Sequence, residues 1–266
     1  MNPLELLASH TSFKGEQRLY RHYADSLHRP LELAIYLPVA SLLKERPCAA
    51  LYYLPGLQTN ARLVASQSDY QRYANRYDTI LVIPDLFNVY QDDDIARTDQ
   101  YTREHQAIAA YLQDELPATL AAHFALAPGR GIMGYGFGGT LAIYHARSHP
   151  ASYHSASALA PWLGFIGTPW HAEHLAHVQL PEHFDPNAWY AAHPDAPPLP
   201  LWIDQGTDDD HLGNKIHLAA FETTVADRIE RGEIWINWHK RYDHSFYFVH
   251  SHIREHFVFH SEHHDL

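Results

Sequence analysis

The sequence predicts an α/β protein with a doubly wound, mostly parallel sheet and an antiparallel N-terminal edge. Three observations lead there. From residue 49 onward, apolar runs of strand length alternate with helical stretches, the pattern of βαβ units. Two strand-length runs joined by a turn precede them. At mid-chain, Gly131-Ile132-Met133-Gly134-Tyr135-Gly136-Phe137-Gly138-Gly139 reads as a strand entering a glycine-packed turn, with a helix from Thr140 to Ala146.

In order, Glu16 to Tyr23 and Leu31 to Leu37 read as antiparallel strands around the turn-like Asp25–Pro30. Ala49 to Leu54 is continuously apolar, as expected of a strand buried on both faces, and ends in the loop Pro55-Gly56. A helix is expected over Leu63–Arg76 and a strand over Thr79–Pro84. Asp85 to Asp99 is polar and irregular, and its Asp92-Asp93-Asp94 lacks the spacing of a calcium loop, so it reads as a solvated turn. A long helix follows over Thr102–Phe124, broken at Pro117. After the glycine turn come a strand at Tyr153–Leu159 and the aromatic, Pro-rich segment 161–200. Strands at Leu201–Asp204 and Glu233–Trp238 flank a helix at Ile216–Arg231, and a last helix spans Ser245 to His260.

The 266 residues suffice for one domain, 1–266, in which 161–200 is a lid-like insertion. A net charge of −12 argues against nucleic-acid partners and against docking on an anionic membrane. No apolar run reaches the roughly 18–20 residues that span a bilayer, and Met1–Glu5 does not resemble a secretory signal. The single Cys48 sits among apolar residues and reads as a buried, inert thiol. Together these features fit a cytoplasmic protein. Histidine is abundant at 23 residues, and His256 and His260 lie four apart on the last helix. Metal ligands use that spacing, but with no cysteine beside them a polar helix face and a frayed tail are expected, and no metal.

The glycine turn has two readings. Gly134, Gly136 and Gly139 match the dinucleotide fingerprint G-x-G-x-x-G. That site belongs at the first βα turn and needs an acid about 20 residues on. Here the turn follows at least three strands, and no Asp or Glu occurs between Gly139 and His171. The other reading is a nucleophile elbow, G-x-S-x-G, with Gly136 where the serine stands. An elbow requires an acid and then a histidine in later loops at strand ends. Thr207-Asp208-Asp209-Asp210-His211 and Arg241-Tyr242-Asp243-His244-Ser245 follow the two last strands in that order.

These stretches carry a family resemblance. Ile203–Asp209 looks like the Asp-loop of S-formylglutathione hydrolase, also called esterase D, and Tyr242–Phe248 is similar to its Y-D-H-S-Y-Y-F segment. Tyr52-Tyr53-Leu54-Pro55-Gly56-Leu57 resembles Y-W-L-S-G-L, while Ser157–Pro161 and Pro169-Trp170 fall where the family has S-A-F-A-P and P-W. The resemblance runs from about Phe13 to His260 and implies an α/β-hydrolase fold with serine esterase or thioesterase chemistry. It implies His244 as general base and Asp209, the third residue after Gly206, as the acid that orients it. It further implies an oxyanion hole of the Leu57 and Phe137 N–H groups, and substrate contacts at Gln58, Tyr135, Trp162 and Trp170. No cofactor is expected, the partner is a small ester or thioester, and a homodimer is compatible with it. Three departures stand out. Gly136 replaces the nucleophile of G-H-S-M-G-G, Gln58-Thr59 replaces a Thr-Cys pair, and Pro84-Asp85-Leu86-Phe87 replaces P-D-T-S-P-R-G. The expectation is a hydrolase inactivated at its nucleophile; the alternative is a natural pseudo-hydrolase that binds an acyl ligand or a protein partner.

Overall fold

The computed structural model describes residues 3–57, 59–87 and 94–264, the side chains of 94–97 excepted. Among these, nine strands form one sheet. The strands are β1 (Glu5–Ser12), β2 (Gly15–Ala24), β3 (Arg29–Leu37), β4 (Cys48–Leu54), β5 (Thr79–Pro84), β6 (Leu126–Tyr135), β7 (Ser155–Leu159), β8 (Leu201–Gly206) and β9 (Ile234–His239). Their order across the sheet is β1-β2-β3-β5-β4-β6-β7-β8-β9. β1 to β3 run antiparallel to their neighbours and everything from β5 to β9 is parallel.

This order positions the site. From β4 the chain crosses to β5 on one side, and from β6 to β7 on the other. Right-handed crossovers in opposite directions place the connecting helices on opposite faces. After the short α1 (Val39–Leu42) ahead of β4, the helices α2 (Ala61–Gln67) and α3 (Tyr70–Arg76) therefore cover one face, where α3 packs against α11 (Phe246–Glu262). The helix α6 (Phe137–Ser148) covers the other face, against β4, β6 and β7. Ligand crevices form at the carboxyl ends of strands where the winding reverses, here between the loops after β4 and β6. The residues of β5, all buried and apolar from Ile80 to Pro84, show why such strands read as unbroken hydrophobic runs.

Several element boundaries differ from expectation. β1 was not anticipated: it is an edge strand with mostly exposed side chains, and so carries no apolar run. The helix expected over Leu63–Arg76 is two helices, because Ser68 turns to an extended conformation between them. The long helix starts earlier, as α4 (Asp94–Ala110), so the irregular segment ends sooner; Asp92 and Asp93 lie outside the described residues. A π-helical turn, Tyr111–Glu115, joins α4 to α5 (Leu116–Ala121), with Pro117 accommodated in the first turn of α5. The stretch 161–200 contains α7 (Pro169–His174) and α8 (Pro186–Ala192). The helix expected over Ile216–Arg231 is α9 (Leu218–Thr224) followed by α10 (Ala226–Glu230).

The polar, frayed helix face expected at His256 and His260 is corrected. Both are buried, at 0% and 5% exposure, on the sheet-facing side of α11. Ser157 Oγ meets His256 Nδ1 at 2.8 Å, and His260 bridges Ser155 and Ser157 at 2.7 and 2.8 Å. Imidazoles are accommodated there because serines of β7 supply hydrogen bonds across the interface.

Candidate active site

The site is built on the turn between β6 and α6. Gly136 has φ +56° and ψ −127°, a conformation that is strained for residues other than glycine. Its N–H donates to Leu159 O of β7 at 2.9 Å, and its carbonyl accepts from Gly139 N at 2.9 Å. Close packing sharpens the bend: a β-carbon on Gly138 would stand 2.1 Å from Leu54 O, so only glycine lets α6 approach β4. At Gly136 the situation is the reverse. A β-carbon there would meet His244 Nε2 at 3.4 Å and Cε1 at 3.8 Å, both ordinary contacts. The position is sterically open and aimed at one histidine.

The loop after β8 supplies Asp209 and the loop after β9 supplies His244. The loops are tied by Thr207 N to His239 O and Asp208 N to Tyr242 O, each 2.9 Å. His244 Nδ1 lies 2.8 Å from Asp209 Oδ2. Gln205 Nε2 donates to the same oxygen at 2.8 Å and His211 N to Oδ1 at 2.9 Å. Burial pushes the Asp209 carboxyl up, but the hydrogen bonds from His244, His211 N–H and Gln205 outweigh it and leave its pKa below the usual value. An ionised Asp209 accepts the Nδ1 proton, and this assignment leaves Nε2 as the lone-pair nitrogen facing residue 136. The ring is held between Tyr135 (centroids 4.9 Å apart) and His211 (4.6 Å). Burial, His244 and Lys215 hold the pKa of His211 down, so it packs as a neutral ring at pH 7.

These groups open on a cavity of about 300 Å³ lined by Leu57, Tyr135, Gly136, Phe137, Trp162 and His244, among others. Phe137 is the first residue of α6, so its N–H has no acceptor within the helix and lies at the positive end of the helix dipole. The Leu57 loop faces it because β4 and β6 are paired at Leu54 and Gly134. Trp162 meets Phe137 edge-on at 5.2 Å. Trp170 packs edge-on against Trp162 at 5.4 Å and is not among the lining residues of this cavity. Gln58 lies outside the described residues. Sequence reasoning missed Gln205 and His211, which hold Asp209 and flank His244, and the wall residues Leu63, Gln67 and Phe246. His211 stands two residues from Asp209 and was within reach of motif reading; Leu63 and Gln67 come from the remote α2 and carry no local signal.

A sharp turn at the carboxyl end of β6, with an acid after β8 and a histidine after β9, on this sheet order, defines an α/β-hydrolase. The sequence model of the esterase family, described as "Putative esterase", matches residues 24–260, and the chain belongs to that family. Among solved structures, the chain is similar to an S-formylglutathione hydrolase from Agrobacterium tumefaciens, with TM-score 0.82 and 24% identity over 97% of this chain and 99% of that one. An S-formylglutathione hydrolase from Staphylococcus aureus gives TM-score 0.70 and 15% identity over 96% and 98%. A ferulic acid esterase from Anaeromyces mucronatus gives 0.66 and 15% over 93% and 92%. At these identities the likeness is one of fold.

Proposed function

We propose that the chain is an ester or thioester hydrolase scaffold whose nucleophile position is occupied by Gly136, so that it does not turn over as it stands. The observation that carries this is the direction of the missing side chain: a β-carbon on residue 136 points at His244 Nε2 from 3.4 Å. A serine hydroxyl there comes within hydrogen-bond reach of that nitrogen. In the parent reaction the serine oxygen attacks the acyl carbon, its proton passes to His244 Nε2, and Asp209 steadies the imidazolium. The Leu57 and Phe137 N–H groups hold the developing oxyanion, each worth about 3–4 kcal/mol of barrier. The leaving alcohol or thiol takes the proton from His244, and water then repeats the sequence to release the acid. Glycine supplies no oxygen for the first bond. Removal of the nucleophile alone from such a unit costs about 10⁶-fold in kcat.

The substrate class we favour is a small ester or thioester. Among the described residues of the cavity wall there is no Lys or Arg, which favours an uncharged leaving group over an anionic one. The intact cavity also supports a second reading, a pseudo-hydrolase that retains an acyl ligand without cleaving it. A paired assay separates the two. The glycine form and Gly136→Ser are compared for hydrolysis of p-nitrophenyl acetate, and of S-formylglutathione as the anionic leaving group expected to react less readily. Our reading requires negligible turnover by the first and a gain of several orders of magnitude in the second. An inert serine form, with tight ligand binding by the glycine form, establishes the pseudo-hydrolase instead.

A further inference from the structure

Beneath the candidate active site, and separate from it, lies a second cluster of ionisable side chains. Asp204 is on β8, His239 ends β9, and His252 and His256 lie one turn apart on α11. Asp204 is 1% exposed and His256 0%. Trp202 Nε1 and Asn237 Nδ2 donate to Asp204 Oδ1 at 3.1 and 2.9 Å. Four other polar atoms of the cluster have no hydrogen-bond partner in line: Asp204 Oδ2 and the Nε2 atoms of His239, His252 and His256. Asp204 Oδ2 and His256 Nε2 nevertheless face each other, and His239 Nε2 faces Asp204 Oδ1, which leaves His252 Nε2 as the buried nitrogen with no hydrogen-bond partner.

The donors are close and of one chemical kind. His239 Nε2 is 3.1 Å from Asp204 Oδ1, and His256 Nε2 is 3.2 Å from Oδ2. The donor atoms of Asp204, His239 and His252 lie within 4.8 Å of one another. A tetrahedral zinc ion with arms of about 2.0–2.1 Å needs donors about 3.3 Å apart, so the triad must draw in, and the His239 and His252 rings, whose centroids stand 3.6 Å apart, must turn for both lone pairs to meet at the ion. Imidazole with carboxylate is a donor set suited to Zn²⁺ and its neighbours rather than to Ca²⁺ or Mg²⁺. Outer support is present too: Ser157 Oγ holds His256 through Nδ1 at 2.8 Å. The side chain of His239 is 23% exposed, while its Nε2 is buried with the other donor atoms.

The geometry points to a divalent metal site, suited to Zn²⁺, formed by Asp204, His239 and His252, with His256 steadying the carboxylate. Its ion ties together β8, β9 and α11. The loops bearing Asp209 and His244 leave these same strands, and α11 begins two residues after His244. The site is a brace for the catalytic loops and takes no part in bond-making.

The test uses untagged full-length protein, stripped with a chelator and titrated with Zn²⁺ alone by calorimetry and thermal denaturation. The expected result is one ion per chain and a raised Tm, with Co²⁺ giving the visible bands of a four-coordinate ion. His252→Gln and His239→Gln each weaken binding at least about tenfold. Asp210→Asn leaves it unchanged, although Asp209, Asp210 and His211 are the other cluster close enough to hold an ion among the described residues. His252 is half-buried on α11, so its variant carries the test even where His239→Gln folds poorly. No saturable binding, or binding that His252→Gln leaves intact, overturns the proposal.

Discussion

His244 and Asp209, 35 residues apart, are joined by a 2.8 Å contact from Nδ1 to Oδ2, and this orients the opposite ring nitrogen toward residue 136. In the proposed mechanism this contact is what orients His244 as the base. Tyr135 and His211 already fill the space on either side of the ring. The consequence is a set of expectations about what returns when an oxygen is supplied.

In the Gly136→Ser background, Asp209→Asn is expected to lower kcat by about 10⁴-fold, because the amide favours the wrong imidazole tautomer. Steady-state kinetics with p-nitrophenyl acetate measures it. The fold should survive, since the amide is isosteric and Gln205 and His211 N remain as neighbours.

Gly136→Ala isolates the backbone cost. A methyl group has room beside His244, so the penalty comes from the φ +56° conformation alone. A loss of about 1–3 kcal/mol is expected, read from urea unfolding, with no gain in activity.

Stability should fall with acid through His145. This ring is fully buried, and burial, with His149 and His105 nearby, holds its pKa down to about 3. The unfolded chain takes up the proton below about pH 6.5 while the folded form does not. Its contribution is therefore fully present above pH 6.5 and declines by about 1.4 kcal/mol per pH unit toward 3. His260, also buried with its pKa held down, adds to the same slope. His145→Leu should flatten the pH dependence of the urea midpoint while costing little at pH 7, because neither ring nitrogen has a hydrogen-bond partner to lose.

Asp185 fastens the segment above the cavity. Its carboxylate accepts from Gly164 N, Ile166 N and Asn187 N at 2.9, 3.2 and 2.8 Å, and it caps α8. Asp185→Ala should cost about 2–4 kcal/mol. Hydrogen exchange should quicken first at Gly164 and Ile166, before the sheet opens.

Much of this architecture was legible from local pattern. The apolar runs of β4, β5, β7 and β8 were visible because strands buried on both faces need no partner information. Gly136 and His244 stand out as candidates because each sits at a strand end in a fixed chain order, while Asp209 is singled out from its neighbours by the family resemblance. What escaped notice depends on distant residues. β1 exists because β2 offers it an edge, not because its own residues are apolar. His256 and His260 look like surface residues until Ser155 and Ser157 are seen opposite them. Trp170 reads as a substrate contact through the family resemblance, and in the fold it packs edge-on against Trp162.

The most direct test is covalent. Gly136→Ser is treated with a fluorophosphonate probe and the adduct is located by peptide mass mapping. The account predicts labelling at residue 136, abolished by the further change His244→Ala, with the glycine form unlabelled. Labelling of the glycine form at any other residue, or a folded Gly136→Ser protein that resists the probe, contradicts the placement of the nucleophile at residue 136.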